Sequence, residues 1–169
     1  AVKIVRTMPN TPALVGEGMT ALCRSETVSE DELKSVRTLF DSFGKTETVA
    51  EYMMDAVVAV AGSSPAYIFM LIEAMADAAV MGGIPRSSAY TFAAQAVLGS
   101  AKMVLETGKH PGDLKDMVCS PAGTTIEAVR VLERDGFRSS VIEAMDACIK
   151  NQKAYRNELC KNENSGLPV

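Results

Sequence analysis

The sequence predicts a mainly α-helical protein that is preceded by a short α/β segment. Aromatic residues make up only 5% of the 169 residues, Trp is absent and there are 10 Met, so the core must be built from small and aliphatic side chains. Such a core favours close-packed helices over a β-sandwich. Strand patterns occur only before residue 50, and only helical patterns follow it.

Composition narrows the class of protein. Hydrophobic residues make up 47% and charged residues 22%, which is typical of a soluble globular chain. The net charge of −4 leaves no basic stripe, so we expect no nucleic-acid partner. The single histidine and the scattered cysteines do not form a metal-ligand pattern, and unpaired cysteines fit a reducing cytoplasm. The cysteines are Cys23, Cys119, Cys148 and Cys160.

The first fifty residues read as part of an α/β sheet. Ser29 and Glu32 form a capping box that opens a helix, and Gly44 is a suitable residue just past its end. The predicted elements are a strand at Lys3–Arg6, a rigid loop at Met8–Pro12, a strand at Gly18–Arg24, the helix, and a strand at Thr46–Val49. This sheet is too small to bury both of its faces alone.

Only helices are predicted after Glu51. The first, Tyr52–Ala61, should break at Gly62–Pro65, with Ser64 as N-cap and Pro65 as first residue of the next helix. Later helices should end near Met81, at Gly108, near Val118 and at Gly136, and a last helix should start near Ser140.

Two predicted helices, Ala66–Val80 and Ala89–Ala101, are apolar nearly all round. A helix without a polar face must be surrounded by protein, and few helices remain to do so. We therefore expect a partner chain, although a compact monomer with central helices is the alternative. Glu73 and Asp77 interrupt the first apolar run, which indicates a core helix and not a membrane span.

The stretch Ser120–Glu127 is the best candidate for a binding site. Thr124 and Glu127 have capping-box spacing, and the small residues before them let a ligand approach the helix N-terminus, which attracts anions. The alternative is an ordinary capped helix. The pair Glu73 and Asp77 and the lone His110 could carry acid–base chemistry, but a solvated stripe and a loop residue are the simpler interpretations.

Seven segments of the chain form a set of specific motifs: 6–12 (RTMPNTP), 55–57 (DAV), 62–67 (GSSPAY), 72–74 (IEA), 83–86 (GIPR), 110–116 (HPGDLKD) and 120–126 (SPAGTTI). Together they resemble pyrroline-5-carboxylate reductase over residues 1 to 152. The ordered run from Leu114 to Ile126 is the most specific.

The resemblance implies the helical dimerisation domain of a 6-phosphogluconate-dehydrogenase-like reductase. Residues 1–49 would be the C-terminal remnant of a Rossmann dinucleotide-binding domain, and residues 50–169 the dimerisation and substrate domain. No G-x-G-x-x-G/A turn follows a strand, so we expect about one hundred residues of the cofactor domain upstream of Ala1. A homodimer is implied, with a higher oligomer of dimers left open, and no membrane partner is expected.

The implied reaction is reduction of 1-pyrroline-5-carboxylate to proline with NADPH or NADH, which the absent domain would mainly bind. The chain alone should then be inactive. Two alternatives remain open: a non-catalytic helical dimerisation module, and a related imine or β-hydroxyacid reductase.

The resemblance also implies roles for individual residues. Asn10 and Met117 would be cofactor-binding, and Thr125 is the best catalytic candidate, although the proton donor stays unidentified. Ala122 stands where relatives often have Gly and should stiffen its loop. The implied substrate-binding residues are Glu51, Ser120, Gly123, Thr124 and Thr125.

Overall fold

A computed structural model describes residues 2–165, with side chains up to residue 158. Its one sheet contains β1 (Val5–Met8), β2 (Gly18–Arg24) and β3 (Gly44–Thr48), in that order. Strand β1 is antiparallel to β2, and β2 is parallel to β3. Helix α1 (Glu30–Asp41) connects the parallel pair, as a crossover helix does. The core beneath it contains Leu22, Val28 and Leu33, which confirms the α/β prediction.

The capping box that opens α1 is confirmed. The Ser29 hydroxyl accepts the Glu32 N–H at 3.3 Å, and the Glu32 carboxylate accepts the Ser29 N–H at 2.9 Å. Lys3 donates to the same carboxylate at 2.6 Å. The Lys3 hydrogen bond is the largest cause, and the Ser29 bonds follow, of a Glu32 pKa lowered to about 2.

Two predictions in the α/β segment need correction. The first strand is Val5–Met8 and not Lys3–Arg6, because the ladder is set by the pairing of Val5 with Arg24. Gly44 does not end a helix but begins β3. A Cβ placed on Gly44 would lie 2.0 Å from the Gly18 carbonyl oxygen, so the close approach of two paired strands requires this glycine.

The predicted break at Gly62–Pro65 is wrong. A 3-10 turn at Glu51–Met53 leads into α2 (Met54–Val57), a π-helical turn (Val58–Ser63) and α3 (Ser64–Met81) without interruption. The wider turn makes room for Pro65, whose ring would crowd a regular helix. Ser64 is not an N-cap, because its hydroxyl donates to the Val60 carbonyl at 2.7 Å.

The remaining helices follow the predicted order. Gly108 and Gly136 take left-handed angles, with φ of 63° and 77°, and so separate consecutive helices. The helices are α4 (Arg86–Thr107), α5 (Pro111–Val118), α6 (Thr124–Arg134) and α7 (Phe137–Ser165).

The chain forms two compact units. The first combines the residues up to Ala66 with those from Ile142 onward. Within it, Arg156 of α7 pairs with Asp55 of α2 at 2.7 Å, and the Asp55 side chain is only 4% exposed. Ser63 and Cys148 lie 3.3 Å apart, Oγ to Sγ. These contacts attach α7 to the helical stretch that starts at Glu51. The predicted domain boundary at residues 49 and 50 stays a prediction.

The second unit, Tyr67–Val141, is held together by small side chains. Ala76 of α3 and Ala89 and Ala93 of α4 are buried, with Ile72, Ala79 and Val80 beside them. The larger apolar side chains of both helices are exposed, so a single chain does not surround these helices, as the expectation of a partner chain requires. They include Phe69 (58%), Met70 (66%), Phe92 (64%) and Leu98 (53%).

The continuous helical stretch Glu51–Met81 is long and apolar enough to cross a membrane by length and composition alone. Core helices of soluble proteins meet the same criterion. The exposed apolar surface therefore requires either a protein or a lipid to cover it.

The turn between α5 and α6 contains a strained residue. The Gly123 N–H donates to the Ser120 carbonyl at 3.0 Å and closes a four-residue turn, with Pro121 second and Ala122 third. Ala122 has φ of 55°, the left-handed region that favours glycine. Alanine is strained where φ is positive, so the expected stiffening of this loop by Ala122 is accompanied by a cost in stability.

Ala122→Gly should relieve that strain and raise the free energy of unfolding by about 0.5–1 kcal/mol, net of the added freedom of the unfolded chain. Urea denaturation measures this difference. Ala128→Gly, the same exchange at an exposed position inside α6, should instead lower it by about 0.5–1 kcal/mol. A destabilised Ala122→Gly variant would contradict the assignment of strain.

Glu32→Gln should make unfolding less sensitive to acid. The folded-state pKa of Glu32 is depressed to about 2, so its stabilisation is fully present above its unfolded pKa of about 4.5 and is lost as pH falls towards 2. The stability difference between wild type and variant should shrink across that window in denaturation series at several pH values. A difference that does not change with pH would exclude this ionic contribution.

Candidate active site

The N-terminus of α6 is open to a ligand. Its N-cap is Gly123, which has no side chain, and among the described residues no side chain accepts a hydrogen bond from the first turn. The first backbone N–H groups of a helix have no partner within the helix, and they lie at the positive end of its dipole. By contrast, α1 is capped by Ser29, and α5 by the His110 ring, whose Nδ1 accepts the Gly112 N–H at 3.0 Å.

The predicted capping box at Thr124 and Glu127 is wrong. Thr124 is the first helical residue, because the turn from Ser120 places Gly123 at the cap position. Glu127 pairs with Arg130 at 2.9 Å instead of reaching back to the terminus. Because no side chain in the described part of the chain caps this terminus, the backbone N–H groups in its first turn remain available to bind an anion.

The residues predicted around this terminus do lie together. Ser120 and Gly123 share one turn, and a Cβ on Gly123 would meet the Ser120 hydroxyl at 2.4 Å. Thr124 is exposed and Thr125 is partly buried in the first turn of α6. Hydroxyls and free N–H groups around one small-residue turn can bind a carboxylate or a phosphate.

Met117 lies on an apolar groove between α4 and α5. The groove has a volume of about 420 Å³, and the Met117 side chain is 63% exposed. Its other walls are formed by Ser100, Met103, Val104, Pro111, Leu114, Lys115 and Val118. An exposed thioether beside aliphatic groups can pack against a flat ring.

Glu51 belongs to the first unit and pairs with Arg6 of β1. Arg6 lies opposite Cys23 in the β1–β2 ladder, so three side chains form a small cluster. Burial, followed by hydrogen bonding to the Glu51 carboxylate, raises the pKa of the Cys23 thiol. The sequence patterns did not single out Arg6 or Cys23; only the strand register could have placed them beside Glu51.

Asn10 also belongs to the first unit, and its side chain bridges protein groups. Its carbonyl oxygen accepts the Met19 N–H at 2.8 Å, and its amide donates to the Ala61 carbonyl at 3.1 Å. Asn10 precedes a 3-10 turn at Thr11–Val15. The predicted residues thus form two groups: Asn10 and Glu51 in the first unit, and Met117, Ser120 and Gly123–Thr125 in the second.

The other acidic and metal-ligating candidates have ordinary partners. Asp77 pairs with Arg86, and Glu73 is exposed on α3. In the part of the chain that the structure describes, no group of three or more His, Cys, Asp or Glu side chains is arranged to hold a metal ion.

Comparison with known proteins gives consistent matches. The family described as "Pyrroline-5-carboxylate reductase dimerisation" matches residues 51–155. The pyrroline-5-carboxylate reductase of Escherichia coli K12 is 64% identical over 151 residues, which are 89% of this chain and 56% of the relative. That of Arabidopsis thaliana is 46% identical over 89% of this chain and 55% of the relative. The chain thus spans a little over half the length of these relatives.

Two solved structures are similar in fold. The pyrroline-5-carboxylate reductase of Coxiella burnetii has a TM-score of 0.86 and 38% identity, covering 90% of this chain and 57% of that one. The Plasmodium falciparum enzyme with NADP bound has a TM-score of 0.83 and 36% identity, with coverages of 90% and 61%. Because the family match covers more than half of the 169 residues, the chain belongs to the pyrroline-5-carboxylate reductase family.

Proposed function

We propose that the complete protein reduces 1-pyrroline-5-carboxylate to L-proline with NAD(P)H, the last step of proline biosynthesis. The observation that carries this proposal is the uncapped N-terminus of α6, with Thr125 in its first turn. The substrate is a small cyclic imine that carries a carboxylate, and this terminus offers donors for a carboxylate. The family membership supplies the reaction class.

In this proposal the α6 terminus orients the substrate. Backbone N–H groups and the Thr125 hydroxyl hold the carboxylate, while Ser120, Gly123 and Thr124 shape the turn around it. A protonated imine is already electrophilic, so orientation and exclusion of water are the main contributions of the protein. Glu51 is also proposed as a substrate-binding residue, because a negative charge favours the protonated form of the imine.

The cofactor, when bound, supplies the hydride. Of the two residues proposed for the cofactor side, Met117 presents an exposed apolar surface that fits a nicotinamide ring. The side-chain amide of Asn10 is already hydrogen-bonded to Met19 and Ala61, so Asn10 would support the cofactor site without a direct contact of its amide. The solved relative from Plasmodium falciparum holds NADP, which supports NADPH as a cofactor of the complete protein.

We also propose a cytoplasmic homodimer. The exposed apolar surfaces of α3 and α4 support a second copy as the cover, because the family segment that contains them is described as a dimerisation region. This makes a membrane unnecessary. Cys23, Cys119 and Cys148 are free thiols, which supports a reducing compartment.

Thr125→Ala in the complete enzyme should lower kcat/KM for the imine roughly 10- to 150-fold, because a hydrogen bond to a charged acceptor contributes about 1.5–3 kcal/mol. NADPH affinity should hardly change. Steady-state kinetics with both substrates varied separates these effects. Thr38→Ala, a helical threonine of α1 whose hydroxyl donates to the Lys34 carbonyl, serves as control and should keep wild-type kinetics. A Thr125→Ala enzyme within twofold of wild type would remove the α6 terminus as carboxylate site.

The 169-residue chain should have the mass of a dimer in light scattering at micromolar concentration. Phe92→Glu introduces a charge into the exposed apolar surface of α4 and should shift the mass towards the monomer. Thr38→Glu adds the same charge to the surface of α1, outside the dimerisation segment, and should leave the dimer intact. A monomeric wild-type chain with a cooperative unfolding transition would refute the dimer.

A further inference from the structure

Pro65 lies inside a continuous helix, and this leaves backbone acceptors without their usual donors. In an α-helix the N–H of residue 65 would donate to the carbonyl of Ala61. Proline has no N–H, and its ring crowds that carbonyl. The π-helical turn Val58–Ser63, which directly precedes α3, relieves the crowding.

Two side chains donate to carbonyls of this turn. The Ser64 hydroxyl donates to the Val60 carbonyl at 2.7 Å, within the same turn. The Asn10 amide donates to the Ala61 carbonyl at 3.1 Å, although Asn10 is 51 residues away in the sequence. The bond from Asn10 is partly buried, and a carbonyl shielded from water without a partner is unfavourable.

The bond from Asn10 also fixes the loop that contains it. The Asn10 carbonyl oxygen accepts the Met19 N–H, so one side chain joins the Met8–Pro12 loop, strand β2 and the π-helical turn. Met8 makes a second contact to this turn. A Cβ on Gly62 would lie 2.7 Å from the Met8 methyl carbon, so the loop packs directly against the glycine.

We propose that Asn10 is a positioning residue, whose amide replaces the absent Pro65 N–H and thereby fixes the Met8–Pro12 loop on the π-helical turn. The inference rests on the proposed reductase function for its kinetic readout. Asn10 then serves the cofactor by holding its loop in place and not through a direct contact of its amide. The effect of the Asn10 hydrogen bonds on the loop does not depend on any activity.

A rescue experiment in the complete enzyme tests the proposal. Asn10→Asp keeps the acceptor for Met19 but removes the donor to Ala61, and should lower Tm by about 2–4 °C and raise KM for NADPH roughly 5- to 10-fold. Pro65→Ala restores an N–H for the same carbonyl. The double variant should therefore recover most of the loss in Tm, whereas KM for NADPH should stay raised because the loop is still not bound to the turn. If Pro65→Ala does not recover Tm, the Asn10 amide does not replace the missing Pro65 N–H and the proposal fails.

Ser64→Ala is the matched control, because it removes the other side-chain donor of the same turn without touching the loop. It should lower Tm by a similar amount and leave KM for NADPH unchanged. An equal rise in KM for Ser64→Ala would overturn the specific role of Asn10.

Amide hydrogen exchange without cofactor or substrate gives a readout independent of catalysis and of the Pro65 variant. Exchange of the amides between Met8 and Met19 should become roughly 5- to 10-fold faster in Asn10→Asp and stay unchanged in Ser64→Ala. Unchanged exchange in Asn10→Asp would refute the positioning role even in an active enzyme. Faster exchange in Asn10→Asp, in a protein that shows no reductase activity, would support the positioning role of Asn10. It would reject only the proposed reaction.

Discussion

Helices α3 and α4 contact each other through alanines, and this contact determines which apolar side chains remain exposed. Buried Ala76, Ala89 and Ala93 let the two backbones approach closely but remove little apolar area from water. At about 25 cal/mol per Å², most of the available stabilisation resides in the larger side chains, which face outward. One chain therefore leaves much of its apolar surface exposed, and the family's dimerisation segment contains both helices that carry this surface.

The π-helical turn is the second constraint, because it forces distant parts of the chain to cooperate. A proline inside a helix has no N–H to donate to the carbonyl four residues before it. The Asn10 amide donates to that carbonyl, and Asp55, which precedes the π-helical turn, forms an ion pair with Arg156 of α7. The stretch from Glu51 to Pro65 is thus held by the N-terminal loop and by the last helix together. A segment fixed from two sides can keep a nearby carboxylate such as Glu51 in one place.

Features governed by short-range rules were predictable from the sequence. Strand β2 and the Ser29 capping box depend on neighbours a few residues away, and both were found where they were expected. The failures share another cause. Gly44 is explained by its contact with Gly18, and the continuous helix at Pro65 by the donor from Asn10, and neither partner is local. At the candidate site, the turn at Ser120 moved the cap from Thr124 to Gly123. The location of the site came from the family resemblance, and its open donors only from the structure.

The ion pair between Asp55 and Arg156 has a consequence for the order of events on the ribosome. The first unit is discontinuous in sequence, and all of Tyr67–Val141 is synthesised before its second part appears. At roughly 5–20 residues per second, the 101 positions from Asp55 to Arg156 take about 5–20 seconds to translate. During that interval the Asp55 carboxylate has no counter-ion and must stay hydrated, since an isolated charge cannot be buried. The earlier part of the first unit therefore becomes complete only after the second unit has been synthesised.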